Sequence, residues 1–272
     1  MRTLCVLFLL IAANASAQWL HYPDSRTPRT KDGQPNLTAP APRLLGKPDL
    51  SGVWHIDQTP MAEMRRVLPA EALDQQVDLP SFCSKYIFNL MWDMKPDDDP
   101  SRPEALALMK QRAEASGDLP PTRCLPGSVP YTYLILPFKI VQTSQQLIIL
   151  FEHYDPHRQV YLDGRPLPTD PDPTWMGYAS AKWDGETLVV ESVGFNDKTW
   201  LDAGGHPHSE ALRLTERFHR RNFGHMDIDV TVNDPKYYTR PWTVKLPFHL
   251  IPDSDVLEAV CAENERDHAH MK

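Results

Sequence analysis

The run His206-Pro207-His208-Ser209-Glu210 sets two imidazoles and a carboxylate close together and leads directly into Ala211-Leu212-Arg213-Leu214-Thr215-Glu216-Arg217-Phe218. Alternate side chains of a strand share a face. A continuous strand would therefore group His206, His208, Glu210, Leu212, Leu214, Glu216 and Phe218, and the leucines and phenylalanine mark that face as the interior. Two imidazoles and one carboxylate on one rim are the ligand set for a divalent transition metal (zinc, iron(II) or manganese) with coordination positions left open. Pro207 supports the opposing reading, because it cannot donate to a ladder and belongs at a strand end or edge. On that reading His206 and His208 are rim histidines bonded to backbone.

The preceding segment, Phe195 to Gly205, is long enough for a functional loop. Asp197 and Asp202 could act there as a metal ligand, as the orienting partner of a histidine or as a general base, and Trp200 could cover a ligand. The same residues could equally cap turns, with Trp200 packed inward. Asp172, Trp175 and Tyr178 lie in a second long Pro-rich loop, where the two aromatic residues are candidates to line a ligand site. Glu216, between Leu214 and Phe218 on one face, must find a partner or be held neutral, so it is either an acid/base candidate or the partner of an arginine. The catalytic candidates are thus Glu210, Glu216, Asp197 and Asp202.

The elements that must position these groups are mostly β. From Phe138 onward, short β-type runs separated by turn signals predict strands near 138–143, 146–153, 157–163, 177–184, 186–194, 209–219, 225–233 and 242–249, with an earlier one from Leu50 to Ile56. Short links such as Asp184-Gly185 predict antiparallel pairing of consecutive strands. Eight or nine sequential strands remove their edges by closing into an up-and-down, lipocalin-like barrel, with a two-sheet sandwich as the alternative. Residues 60–120 carry apolar residues at helical spacing (Met61 to Leu73, Pro103 to Ala115) and form an insertion after the first strand. Ser254 to Met271 predicts a C-terminal helix. A turn at Arg220 to Gly224 sets His219 opposite His225, Arg217 opposite Asp227, and Glu216, facing inward, opposite Ile228.

The rest of the composition bounds the function. Proline accounts for 27 of 272 residues, which excludes a mostly helical bundle, and a formal charge of −8 offers no field for nucleic acid. Arg2, an apolar run to Ala13 and Ala15-Ser16-Ala17 read as a signal peptide over 1–17, followed by a Pro-rich arm over 18–48 and a barrel domain over 49–272. The expected address is periplasmic or secreted, with no transmembrane anchor. Of Cys83, Cys124 and Cys261, two are expected to pair, with the choice open. Phosphate loops, nucleophile elbows, zinc-protease helices and dinucleotide fingerprints are absent from the sequence.

Asp49-Leu50-Ser51-Gly52-Val53-Trp54 resembles the G-x-W opening strand of lipocalins and related calycin barrels, which implies that Trp54 closes the barrel floor beneath a ligand cup. The blocks GKPDLSGVW (46–54), DPTWMGY (172–178), WDGETLVVESVGFNDKTWLD (183–202), GHPHSEALRLTERF (205–218) and NDPKYYTRPWTV (233–244) are similar to recurrent blocks of a family of exported bacterial proteins with no assigned activity. That resemblance implies export and a shared fold, and transfers no catalytic role. Three functions follow as expectations. The first is a calycin-like protein binding a small, largely apolar molecule. The second is a metal-dependent or general acid/base enzyme (hydrolase, isomerase or oxygenase) built on His206, His208 and Glu210, and the third is an interaction module of the envelope.

Overall fold

The computed structural model describes residues 22–65, 84–114, 119–154 and 156–261; residues 1–17, expected to be a signal peptide, and Cys83 lie outside them. Arg43–Leu44 (β1) and Lys47–Pro48 (β2) form a small hairpin in the arm. Nine strands then make the barrel: Gly52–Ile56 (β3), Phe138–Gln142 (β4), Gln146–Phe151 (β5), His157–Tyr161 (β6), Tyr178–Asp184 (β7), Thr187–Val193 (β8), Arg213–Arg220 (β9), His225–Asn233 (β10) and Trp242–Leu250 (β11). They follow one another around the wall in sequence order, and β11 closes on β3. Between β3 and β4 the insertion carries the helices Met61–Met64 (α1), Lys85–Phe88 (α2) and Pro103–Glu114 (α3).

Alternation decides what fills the barrel. Ile140, Leu147, Val190, Leu214, Ile228 and Leu246 point inward and are fully buried, each contributing roughly 1.5–3 kcal/mol. Pairing is antiparallel everywhere except between β6 and β7, which are parallel, so uniformly antiparallel pairing does not hold. A closed ring with an odd number of strands cannot alternate direction throughout, and the mismatch falls where residues 162–177 return the chain along the barrel.

The two ends of the barrel differ. One end has only tight turns, at 143–145, 185–186 and 221–224, and is floored by Trp54, whose Nε1 donates to Leu50 O at 3.0 Å. Arg220 lies 4.9 Å from the Trp54 ring and donates to the carbonyls of Asp49, Asn222 and Phe223. This buried guanidinium explains a correction to the expected hairpin. Arg220 belongs to the strand opposite Met226, so the register shifts by two residues: Glu216 faces Val230 and Arg217 faces Asp229. A two-residue shift preserves the faces, and Glu216 stays inside. The arm seals the same end, where Phe223 N and Gly224 N donate to Ala39 O and Leu37 O at 2.8 Å. Gly224 is required there, because a Cβ would fall 2.4 Å from Leu37 Cβ.

The expected C-terminal helix is absent from 254–261, and the remainder of that prediction lies outside the described residues. Instead the segment is an extended strap tied by Lys139–Asp255 (2.8 Å), by Leu257 N to Glu152 Oε2 (3.1 Å) and by the Cys124–Cys261 disulfide. Among the described residues no helix is long and apolar enough to cross a membrane.

Candidate functional site at the capped end

The other end carries the insertion, 152–156, 194–212 and 234–241, and receives the chain that 162–177 returns from the end with the tight turns. Leu201 N donates to His206 O at 2.9 Å, and Trp200 bridges to Pro207, closing 195–212 into a compact loop. At its tip Gly204 and Gly205 let the helices close in. A Cβ on Gly204 would lie 2.3 Å from Phe88 O at the end of α2, and Gly205 packs on Met109 and Arg112 of α3.

The loop buries an Asp–His pair. Asp202 is fully buried; its Oδ2 accepts from His206 Nδ1 at 2.6 Å and from Leu90 N at 2.8 Å, while Oδ1 accepts from His206 N at 3.2 Å. A carboxylate only accepts, so Nδ1 carries a proton, and in the neutral ring Nε2 is then the nitrogen with the lone pair. Among the described residues no protein group bonds that Nε2. Trp242 lies beside the His206 ring, centroids 6.5 Å apart, and among the described residues its buried indole N–H has no partner. An orphan buried donor costs about 1–3 kcal/mol and calls for an acceptor. Arg112 stands over Trp200 at 4.7 Å and donates to Gly205 O at 2.9 Å, its pKa lowered by burial to about 10. Tyr131 and Tyr238 complete the surroundings, and Tyr238 OH donates to Pro207 O at 2.8 Å.

His208 is a different kind of histidine. Thr199 Oγ1 lies 2.6 Å from Nε2 and Nδ1 faces Ser209 O, so both nitrogens are engaged. Burial lowers its pKa to about 4. The folded state therefore refuses a proton that the unfolded chain takes up near pH 6.5, and stability falls as pH drops from about 6.5 to 4. The loss from this group approaches about 3 kcal/mol. Thermal melts across that range should show the decline, and His208→Gln should lessen it, part of the remainder coming from His153, whose pKa burial also lowers to about 4.

The expected metal set does not assemble. Leu212 N bonds Ser209 O at 3.1 Å, so 209–211 is a turn, β9 starts only at Arg213, and Glu210 is exposed. Among the described residues no three His, Cys, Asp or Glu side chains are placed to hold one metal ion. Of the other sequence candidates, Asp202 joins His206, whereas Asp197 is exposed. Trp200 is half-buried beneath Arg112, but Trp175 sits near Lys198, Tyr178 points outward at 38% exposure, and Trp54 lies at the opposite end. Glu216 finds its arginine not on a neighbouring strand but across the barrel, in Arg158.

Sequence reasoning missed Arg112, Tyr131, Tyr133, Arg158 and Trp242. Arg158 and Trp242 left a signal, sharing the inward parity of Val160 and of Val244 and Leu246. Comparisons with protein-family models, curated proteins and solved structures return no match.

Proposed function

We propose that this chain is an exported, calycin-like barrel that binds a small, largely apolar, oxygen-bearing molecule at its capped end and acts on it by proton transfer. His206 is the general base and Asp202 its orienting partner. The observation that carries the reading is the 2.6 Å bond between His206 Nδ1 and a fully buried carboxylate, which leaves Nε2 as the acceptor. Asp202 then stabilises the imidazolium formed when Nε2 takes a proton. The Trp242 N–H and the Arg112 guanidinium supply donors for the oxygen of the ligand. The disulfide fits a periplasmic or secreted address. The described part of the Pro-rich arm packs on the barrel's own floor, which leaves the interaction-module reading without its main support.

Two-bond proton–nitrogen NMR on histidine-labelled protein tests the assignment. His206 should appear as the Nδ1–H tautomer in the native protein and lose that fixed state in Asp202→Ala. A native Nε2–H tautomer would overturn the base assignment.

A further inference from the structure

One side chain that belongs to no barrel strand fills the bore of the barrel. Tyr133 projects inward from the single turn Tyr131–Leu134, its ring centroid 4.9 Å from Phe138, 5.4 Å from Phe151, 6.2 Å from Phe248 and 6.5 Å from Phe218. Its hydroxyl accepts from Arg158 Nη1 at 2.8 Å and donates to Glu216 Oε1 at 3.0 Å. Arg158 also bonds both oxygens of Glu216 and donates to Ser192 Oγ at 2.7 Å. None of these four polar residues is more than 1% exposed, and among the described residues Arg158 Nε has no partner.

We propose that this cage is a binding site for a small phenol, and that Tyr133 is its resident occupant, displaced when such a ligand enters. The inference stands apart from the proton-transfer reading of the capped end. Four aromatic rings enclose one aryl ring, and at its end one donor and one acceptor meet a single hydroxyl. A ligand without that hydroxyl leaves the pair short of partners, so the site discriminates for the phenol. An ion pair in this position is not needed for stability, since well-packed apolar residues of similar volume would serve as well or better. The plug is also separable from the wall. Its backbone N–H bonds are local, Thr132 N to Ser128 O and Tyr133 N to Pro130 O, each at 3.0 Å, and among the described residues no backbone–backbone bond ties 128–135 to a barrel strand; at its end the Ile135 backbone meets a side chain of the wall, His55 on β3. Withdrawing Tyr133 therefore breaks no ladder, and the closed state merely lowers the apparent affinity of the ligand.

The test uses p-cresol, which is the tyrosine side chain as a free molecule, and toluene, which lacks the hydroxyl. The native protein should bind p-cresol saturably and well ahead of toluene, and hydrogen exchange at 131–135 should quicken on binding while the strands stay protected. Tyr133→Ala, with no resident competitor, should bind p-cresol about tenfold tighter or more. Tyr133→Phe keeps the ring and gives up both hydroxyl bonds, so it loosens the plug and should also bind more tightly than native; it serves if the alanine variant does not fold. Binding to Tyr133→Ala alone, with none to native protein at millimolar p-cresol, would show an engineered hole and overturn the proposal. Equal binding of toluene, native binding without loosening of 131–135, or no binding to any form would overturn it too.

Discussion

Glu216→Ala is expected to lower the unfolding free energy by about 3–5 kcal/mol, the cost of leaving a buried charge without its partner. Arg158 is 1% exposed, and burial alone would lower its pKa; Glu216, assisted by Tyr133, more than compensates and holds the pKa above the ordinary arginine value. Without the carboxylate, the guanidinium keeps only Ser192 Oγ and the Tyr133 hydroxyl, neither of which carries charge. The paired replacement Arg158→Met with Glu216→Leu should recover most of the loss, because it removes both charges and keeps the volume. Urea unfolding of the two variants measures this as a shift in midpoint at unchanged slope. A single variant within about 1 kcal/mol of native would mean that the pair is not desolvated as the structure has it.

The barrel was legible because its wall is written with period two. Runs such as Leu147, Ile149 and Phe151, or Met226, Ile228, Val230 and Val232, show the inward face whatever they pair with, and turn residues mark the ends. The parallel step between β6 and β7 was not legible, since it depends on the number of strands in the closed ring rather than on any residue in either strand. The hairpin register failed for a tertiary reason: nothing local to Arg220 says that the carbonyls of Asp49 and Phe223 will converge on its guanidinium. The same holds at the site. Asp202 and His206 could be nominated from their types and spacing, but the backbone N–H of Leu90 that completes the arrangement comes from a helical insertion more than a hundred residues away. Tyr133 gave no sign of its place, because a short turn without periodicity does not say which cavity it enters.

The central claim, that His206 is a base held ready by Asp202, is met most directly by deuterium incorporation. Small carboxylic acids and ketones with exchangeable C–H bonds would be incubated with the purified protein in heavy water and followed by proton NMR, so that proton abstraction is read without knowing the reaction. The geometry predicts that at least one oxygen-bearing, largely apolar member of the set exchanges in the presence of native protein. That exchange should fall by about 10²–10⁴-fold in His206→Ala, the usual contribution of a positioned general base. Asp202→Ala should lose much of the same factor, because Nδ1 is then unheld and the imidazolium unsupported. His208→Gln should leave it largely in place, since both nitrogens of His208 are already committed to Thr199 and Ser209. Exchange that persists unchanged in His206→Ala, or that is absent across the whole set, would contradict the account.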